Sequence, residues 1–558
     1  MTTGLFIAQQ KLDLTLKGPW RKEWHLSILS TRLMSKLPNP ARTSALTNTS
    51  WFGTAPALPT FEPLRENTTA DVIIVGGGIA GLTTAYLLSK EGRQVLLLED
   101  GELASGETGR TTAHLSNALD DRYTTLENLF GAEGARLAAE SHTAAIAQIE
   151  SIVAEEQIDC DFTRLDGYLF LPKGGTTKEL TDERDAAHRA GLTQVMYLPS
   201  AGLVGFETGE CLHWPGQGQF HILKYLAGLA AAITKHGGRI CTHTHVSEVH
   251  GGAEARVVTT DGVEARASRG LVIATNTPFN DRVVMHTKQA PYRTYVVGAR
   301  VPKGSVAKAL YWDTADPYHY IRVQEVASGP RGGQTDYDLL IVGGEDHKTG
   351  QEDHPEARLD CLEEWVRERF AMVRDVEYRW SGQVMEPQDG LAYAGRNPLD
   401  ADNVFIITGD SGHGMTHGTL GPMIITDLIQ GRPNPWAELY DPGRITVKPE
   451  SALEFIKENA NVALEYTDLL TGGDVKDADE IPAGAGAVLR RGLTKVAVYK
   501  DDKGATHECS AICPHLGCVV HWNNLEKSWD CPCHGSRFTA LGELLSGPAN
   551  TGLAPASA

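Results

Sequence analysis

No apolar run in this sequence approaches the roughly 18 to 20 residues needed to cross a bilayer. The longest candidates, such as LAGLAAAI from Leu226 to Ile233, are amphipathic or too short, so no membrane span is expected. Positive charge is also scarce: 51 Lys and Arg stand against 71 Asp and Glu, a formal net charge of -20. That balance keeps a protein soluble and argues against a polyanion such as nucleic acid as its main partner. No secretory hydrophobic region or twin-arginine signal opens the chain. Cysteine is sparse, nine in 558 residues. Cys160, Cys211, Cys241 and Cys361 are scattered singly, which suits a reducing, cytoplasmic setting, and Cys509 reads as core.

What is present is ordinary globular composition, 41% hydrophobic and 22% charged, in a chain long enough for about three domains. The first forty residues stand apart, with Lys11, Lys17, Arg21, Lys22, Arg32 and Lys36 opposed only by Asp13 and Glu23. This bias resembles a transit peptide, but Met34 could equally begin a compact protein, and residues 1–50 are read as an extension without function. The first strong element is ADVIIVGGGIAGLTTAYLLSKEGRQVLLLED, Ala70 to Asp100. A β-branched run leads into Gly76, Gly78 and Gly81, then a helical pattern, then a second apolar strand ending in Glu99. Gly76 permits the tight turn, Gly78 lets backbone approach a pyrophosphate, and Gly81 lets helix and sheet pack closely. The helix N-terminus offers unpaired N–H groups to phosphate, and Glu99 can accept from ribose hydroxyls. The unit predicts dinucleotide binding.

Helices are expected near Gly134–Glu155 and His221–His236, a hairpin over His245–Gly262 and a buried strand over Gly270–Asn276. Asn403 to Gly431 again reads strand, glycine-rich turn and helix, so a cofactor would be held from both ends of the chain. Residues 161–205 and 290–379 read as β-rich insertions forming a substrate lobe. The segments VIIVGGGIAGLTTAYLL, SGETGRTTAHL, LVIATN and TGDSGHGMTHG resemble the D-amino-acid oxidase or glycine oxidase superfamily of FAD flavoproteins. The resemblance implies an α/β FAD-binding domain, Rossmann-like and of the glutathione-reductase type, made of discontinuous chain with an inserted β-rich substrate domain. By motif it assigns the ADP half to Gly76, Gly78, Ile79, Ala80, Gly81, Glu99 and Asp100. Arg110, Thr111 and Thr112 would lie along the cofactor's middle, and Val246 would face adenine. Gly409, Asp410, Gly414, Met415 and Thr416 would hold the ribityl chain and the pyrimidine edge of the flavin.

Near the end, CPHLGCVVHWNNLEKSWDCPCHGS, Cys513 to Ser536, gathers four cysteines and three histidines into 24 residues. Cys513 and His515 form a C-x-H pair and Cys531 and His534 a C-x-x-H pair. Two Cys and two His suit a Rieske 2Fe-2S centre or a tetrahedral zinc. The flanking residues favour iron, because CPHLGC and CPCHGS resemble the two loops of cytochrome bc-type Rieske proteins, and Gly547-Pro548 resembles their covering loop. The resemblance makes Cys513, His515, Cys531 and His534 ligands, with Cys518 and Cys533, one in each loop, placed to tie the loops by a disulfide. Where that family usually carries a tyrosine that donates to a cysteine sulfur, this chain has Phe538. Loss of the donor predicts a potential in the lower part of the Rieske range of roughly -150 to +300 mV.

The sequence thus predicts an extension (1–50), a FAD-dependent oxidoreductase module (51–435), a helical linker (436–473) and an all-β Rieske module (474–558), an order resembling a bacterial family of such fusions. A flavin exchanges hydride with organic molecules and the cluster accepts single electrons. No second GxGxxG follows a strand, so a small organic donor, an amine or amino acid, is expected, with an unidentified electron partner. The alternative is an electron carrier with no organic substrate. Candidate catalytic residues are Tyr318, Tyr320 and Arg322 in DPYHYIR, Arg322 as a carboxylate clamp, with His347, His413 and His417. A mononuclear iron of an oxygenase would need Asp346, His347 and His354 to converge.

Overall fold

The computed structural model describes residues 44–172, 174–280, 284–326, 335–446 and 449–556. The basic N-terminal stretch with Met34 lies outside them. Among the described residues, an eight-stranded sheet runs in the order Tyr393–Arg396, Val404–Thr408, Glu264–Ile273, Thr68–Val75, Val95–Leu98 and Arg239–Cys241, with the hairpin Val246–His250 and Arg256–Thr259 on its side. All contacts from Val404–Thr408 through to Arg239–Cys241 are parallel. Strands buried on both faces read as continuous apolar runs, which is why VIIV, VLLL and VFII are each wholly buried. Sequence-distant strands pair side by side, so both ends of the flavin module build one sheet, as the two glycine-rich turns required.

Helices Ile79–Lys90, Ile222–Lys235 and Gly414–Gln430 pack together beside this sheet. The helix expected at Gly134–Glu155 begins earlier, at Tyr123, and bends at Gly131, whose φ of 72° breaks the helical path. At the first βα turn the glycines act as their spacing implied. A Cβ on Gly81 would sit 1.9 Å from the Gly76 carbonyl oxygen, and one on Gly76 (φ 113°) 2.4 Å from the Ala274 oxygen. Neither position tolerates a side chain without moving backbone.

The second sheet has nine strands among the described residues. Its order is Val376–Pro387, Gln289–Pro302, Tyr337–Lys348, His319–Glu325, Leu310–Asp313, Thr163–Phe170, Cys211–Gln219 and His114–Leu115, with Met196–Leu198 on Cys211–Gln219. The lobe is wider than the two expected segments. Cys211–Gln219 lies outside both segments; it carries Pro215, Gly216 and Gly218, and its pairing with Thr163–Phe170 shifts register between Leu165 and Gly167.

Helix Pro449–Glu465 leads to the C-terminal module, two small antiparallel sheets of three and four strands spanning Ala485–Ser510 and His521–Ser546. Ser44 to Ser50, read from sequence as part of the extension, is mostly buried against both modules. Arg537 of the C-terminal module donates to the Ser44 carbonyl, and Glu526 accepts from the backbone N–H groups of Leu46 and Thr47, each at 2.8 Å. No helix among the described residues is long and apolar enough to cross a membrane.

Candidate functional site

A cavity of about 300 Å³ runs between the two sheets. Its lining includes Gly76, Gly78, Ile79, Ala80, Glu99, Asp100 and Val246, with Arg110, Thr111 and Thr112 and with Gly409, Asp410, Gly414 and Met415. Of the residues assigned to FAD by motif, Gly81 and Thr416 do not reach the cavity. Gly81 serves packing, and the Thr416 hydroxyl pairs with His142 Nδ1 at 2.8 Å. The cradle fits a dinucleotide: its turn excludes any Cβ, and the adjacent helix points its N-terminus at the space where phosphate belongs. Glu99 accepts from the N–H of Gly77 and, at 3.0 Å, from that of Gly101. Burial raises its carboxyl above the usual range against those bonds.

The remaining wall comes from the second sheet and its neighbours: His114, Asp120, Thr294, Trp312, Tyr318 and Tyr320. The Tyr318 hydroxyl donates to Asp120 Oδ2 at 3.3 Å, and Tyr320 pairs with the Thr294 hydroxyl at 2.6 Å. His413 lines the same space, with Nε2 2.9 Å from the Asp120 backbone nitrogen and 3.5 Å from Asp120 Oδ1. Burial pushes the Asp120 carboxyl up, but His413, Arg122 and Tyr318 outweigh it and hold Asp120 below its ordinary value. Burial also drives His114 and His417 down to about 3, so both imidazoles are neutral at physiological pH.

Arg322 departs from expectation. It lies on the same strand face as Tyr320, yet it is fully buried away from the cavity. Its Nη1 donates to the carbonyls of Thr112, Ala113 and Phe220 at 3.0, 2.9 and 3.2 Å, and its Nη2 to Gln324. A guanidinium removed from water needs such acceptors, and these carbonyls hold the Thr112–Ala113 bend (Ala113 φ 57°) behind the cofactor wall. Its guanidinium is spent on backbone carbonyls and does not face the cavity. His347 is also spent: Nε2 pairs with the Tyr295 hydroxyl and Nδ1 faces the Lys348 carbonyl, each at 2.8 Å. Asp346, His347 and His354 therefore do not form an iron site. His417 Nδ1 is likewise tied to the Asp410 carbonyl, at 2.8 Å.

In the C-terminal module the two ligand loops are built alike. Gly517 N–H donates to the Cys513 carbonyl (3.0 Å), and Gly535 N–H to the Cys531 carbonyl (3.1 Å). Each glycine takes a positive φ, 85° and 80°. Cys518 and Cys533 form the disulfide between the loops. Cys513 and Cys531 are thereby brought within hydrogen-bonding contact of one another, and the rings of His515 and His534 lie 4.9 Å apart. Cys518 and Cys533 crowd Cys531 but are bonded to each other and offer no thiolate. The pair of sulfurs beside a pair of imidazoles fits a 2Fe-2S centre with Cys on one iron and His on the other.

The ligand loops rest on the flavin module. His286 packs edge-on against both rings, 4.6 Å from His515 and 5.8 Å from His534. Gln383, which lines the cavity, donates from Nε2 to the Gly535 carbonyl at 3.1 Å. Leu544, Leu545, Ser546, Gly547, Ala549 and Asn550 of the C-terminal module also line the cavity. Sequence reading missed this sharing, because no local pattern announces a contact between residues 383 and 535.

A dinucleotide cradle roofed by a β-lobe, fused to a Cys2His2 cluster module, defines a FAD-dependent oxidoreductase carrying a Rieske centre. The family comparisons agree. Residues 71–428 match the model of the FAD dependent oxidoreductase (DAO) family and residues 473–556 that of the Rieske [2Fe-2S] domain, and the chain belongs to the DAO family of FAD-dependent oxidoreductases. It is 32% identical to the putative Rieske 2Fe-2S iron-sulfur protein YhfW of Bacillus subtilis (strain 168) over 504 residues, 90% of this chain and 96% of that one. It is 26% identical to gamma-glutamylputrescine oxidoreductase of Escherichia coli (strain K12) over 383 residues, 66% and 86% of the two chains. Among solved structures, glycine oxidase from Geobacillus kaustophilus shares the fold at 19% identity and a TM-score of 0.54, covering 68% of this chain and 99% of that one. The cofactors are FAD and a Rieske 2Fe-2S cluster, and the protein is an enzyme.

Proposed function

We propose that the chain oxidises a small cationic amine at its C–N bond and passes the electrons one at a time to its own Rieske cluster, which delivers them to an external acceptor. The observation that carries this reading is the shared wall: one cavity is lined by the flavin module and the cluster module, with Gln383 touching both the cavity and the cluster loop. When bound, FAD supplies a two-electron hydride acceptor and the cluster a one-electron carrier.

The residues around the substrate end favour an amine over an α-amino acid. Among the described residues lining the cavity, Arg110 is the sole Lys or Arg, and its guanidinium is committed to the carbonyls of Thr47 and Ser381 and lies 3.6 Å from Glu526. A carboxylate entering this space would find no guanidinium to pair with, and a charge buried without a partner is strongly disfavoured. A cation, by contrast, meets the ionised Asp120 and the faces of Tyr318 and Tyr320, a suitable receptor for an ammonium group. His413 stands against the same carboxylate, its Nε2 3.5 Å from Asp120 Oδ1. The relative named for gamma-glutamylputrescine supports an amine.

The experiment is an anaerobic titration of the holoprotein with a panel of primary and secondary amines, α-amino acids and NAD(P)H. Flavin bleaching by amines at far lower concentration than by the matching amino acids is expected. Bleaching by amino acids alone overturns the amine assignment. Reduction by a protein donor, with no organic compound active, would establish a carrier.

A further inference from the structure

Residues 544–550 belong to the cluster module, yet they face the flavin cavity at the end that holds Glu99 and Val246. Two contacts fasten them there. Asn550 Nδ2 donates to the Ser247 carbonyl at 2.8 Å, beside His245, which it also hydrogen-bonds. Gly547 packs over the Thr277 carbonyl, 3.7 Å from where its Cβ would lie. On the opposite side the same segment is fastened to the cluster. Ala549 N–H donates to the Ser536 hydroxyl oxygen at 2.9 Å. Ser536 is fully buried, and its hydroxyl is in turn hydrogen-bonded to the Cys513 sulfur. The Ser536 carbonyl accepts from the Cys531 N–H at 2.8 Å, closing the second ligand loop. An unbroken path therefore runs from a ligand sulfur, through Ser536 and Ala549, to the cavity wall.

We propose that residues 544–550 form the retaining wall of the FAD site over its ADP half, and that the assembled cluster, acting through Ser536, holds this wall shut. The flavin site is thus completed by the iron-sulfur module, and loss of the cluster speeds loss of FAD. The logic is mechanical. Metal ligation fixes Cys513 and Cys531, the fixed sulfur orients the Ser536 hydroxyl, and the oriented hydroxyl holds Ala549. Without the metal, the disulfide still joins the loops, so the wall is loosened rather than lost. The inference concerns cofactor retention alone and is independent of the substrate and of the direction of electron flow.

The test uses the full-length holoprotein and reads the rate at which free-flavin fluorescence appears on dilution. Three samples are compared with the intact wild type: Asn550→Ala, Ser536→Ala, and wild type whose cluster has been bleached oxidatively in the presence of a chelator, with its far-ultraviolet circular dichroism unchanged. One wall hydrogen bond contributes about 1 kcal/mol, so release about fivefold faster is expected in the two variants, and release faster than in the intact protein is expected in the bleached wild type. Asn550→Ala should keep the cluster's EPR spectrum unchanged. Ser536→Ala should also lower the cluster's midpoint potential, because its sulfur loses a donor, a shift that a merely loosened fold would not produce. A release rate for the bleached wild type equal to that of the intact protein overturns the proposal, as does an unchanged rate in Asn550→Ala. Should either variant fail to fold, the bleached wild type alone decides.

Discussion

Replacing Glu526 with glutamine should loosen the joint between the two modules by about 3 kcal/mol. Glu526 is wholly buried at the point where three parts of the chain meet. It accepts from the Leu46 and Thr47 N–H groups (2.8 Å) and the Thr47 hydroxyl (2.6 Å), and lies 3.4 and 3.6 Å from Arg293 and Arg110. Burial alone would raise its carboxyl, but Arg110, Arg293 and Arg537 overcome this and hold it at about 2, against an ordinary 4.5. A depression of that size corresponds to about 3 kcal/mol. Removing one partner of a buried ion pair typically costs about 3 to 5 kcal/mol, and the two figures agree. Glutamine keeps the volume, removes the charge that faces three guanidiniums, and turns a donor toward a site built from donors. Equilibrium urea unfolding, with proteolysis of the mostly exposed stretch 471–480 as a second readout, measures the loss. Because the folded-state value is depressed, this stabilisation is complete above about pH 4.5 and disappears as the pH falls toward about 2; in the variant that acid dependence should be missing. A loss below about 1 kcal/mol, or an unchanged acid profile, would refute the reasoning.

Gly81→Ala should yield protein lacking FAD, since its Cβ would meet the Gly76 carbonyl at 1.9 Å; flavin absorbance per chain measures this, and retained flavin would contradict the packing role. Arg322→Lys should destabilise the protein by about 2 to 3 kcal/mol, because an ammonium cannot reach all four acceptors. Its KM for an amine should stay within about twofold in the fraction that folds, whereas a substrate clamp would show a raised KM. Phe538→Tyr should raise the cluster's midpoint potential, read by EPR-monitored titration. Phe538 is buried in the core formed with Cys513 and Cys531, and a hydroxyl there adds a donor to the sulfur side of the cluster.

Local chemistry was legible in the sequence wherever one short segment carried a whole task. The first βα turn and the two Cys-His loops are of this kind: their glycine geometry and their closing hydrogen bonds arise between neighbours within a few residues. The second sheet was only partly legible. Cys211–Gln219 contains Pro215, Gly216 and Gly218, and its partners Thr163–Phe170, His114–Leu115 and Met196–Leu198, distant in sequence, make it a strand. The surroundings of Arg322 were not legible, because the spacing of Tyr320 and Arg322 gives the strand face but not which neighbour covers it. The carbonyls that claim its guanidinium come from Thr112, Ala113 and Phe220, far away in sequence. The same holds for the contact of Gln383 with Gly535 and for the buried charges around Glu526. Such contacts depend on how finished modules dock, and docking leaves no periodicity to read.

The central claim is that a single chain moves electrons from an organic donor through its flavin site to its own cluster. Rapid anaerobic mixing of the holoprotein with a reactive amine, followed by absorbance at the flavin band and by freeze-quenched EPR, tests it most directly. Flavin bleaching followed by the cluster's reduced signal, at a rate that does not change with protein concentration, is the predicted result. A cluster that stays oxidised while the flavin is bleached, or one reduced at a rate proportional to protein concentration, would contradict the account.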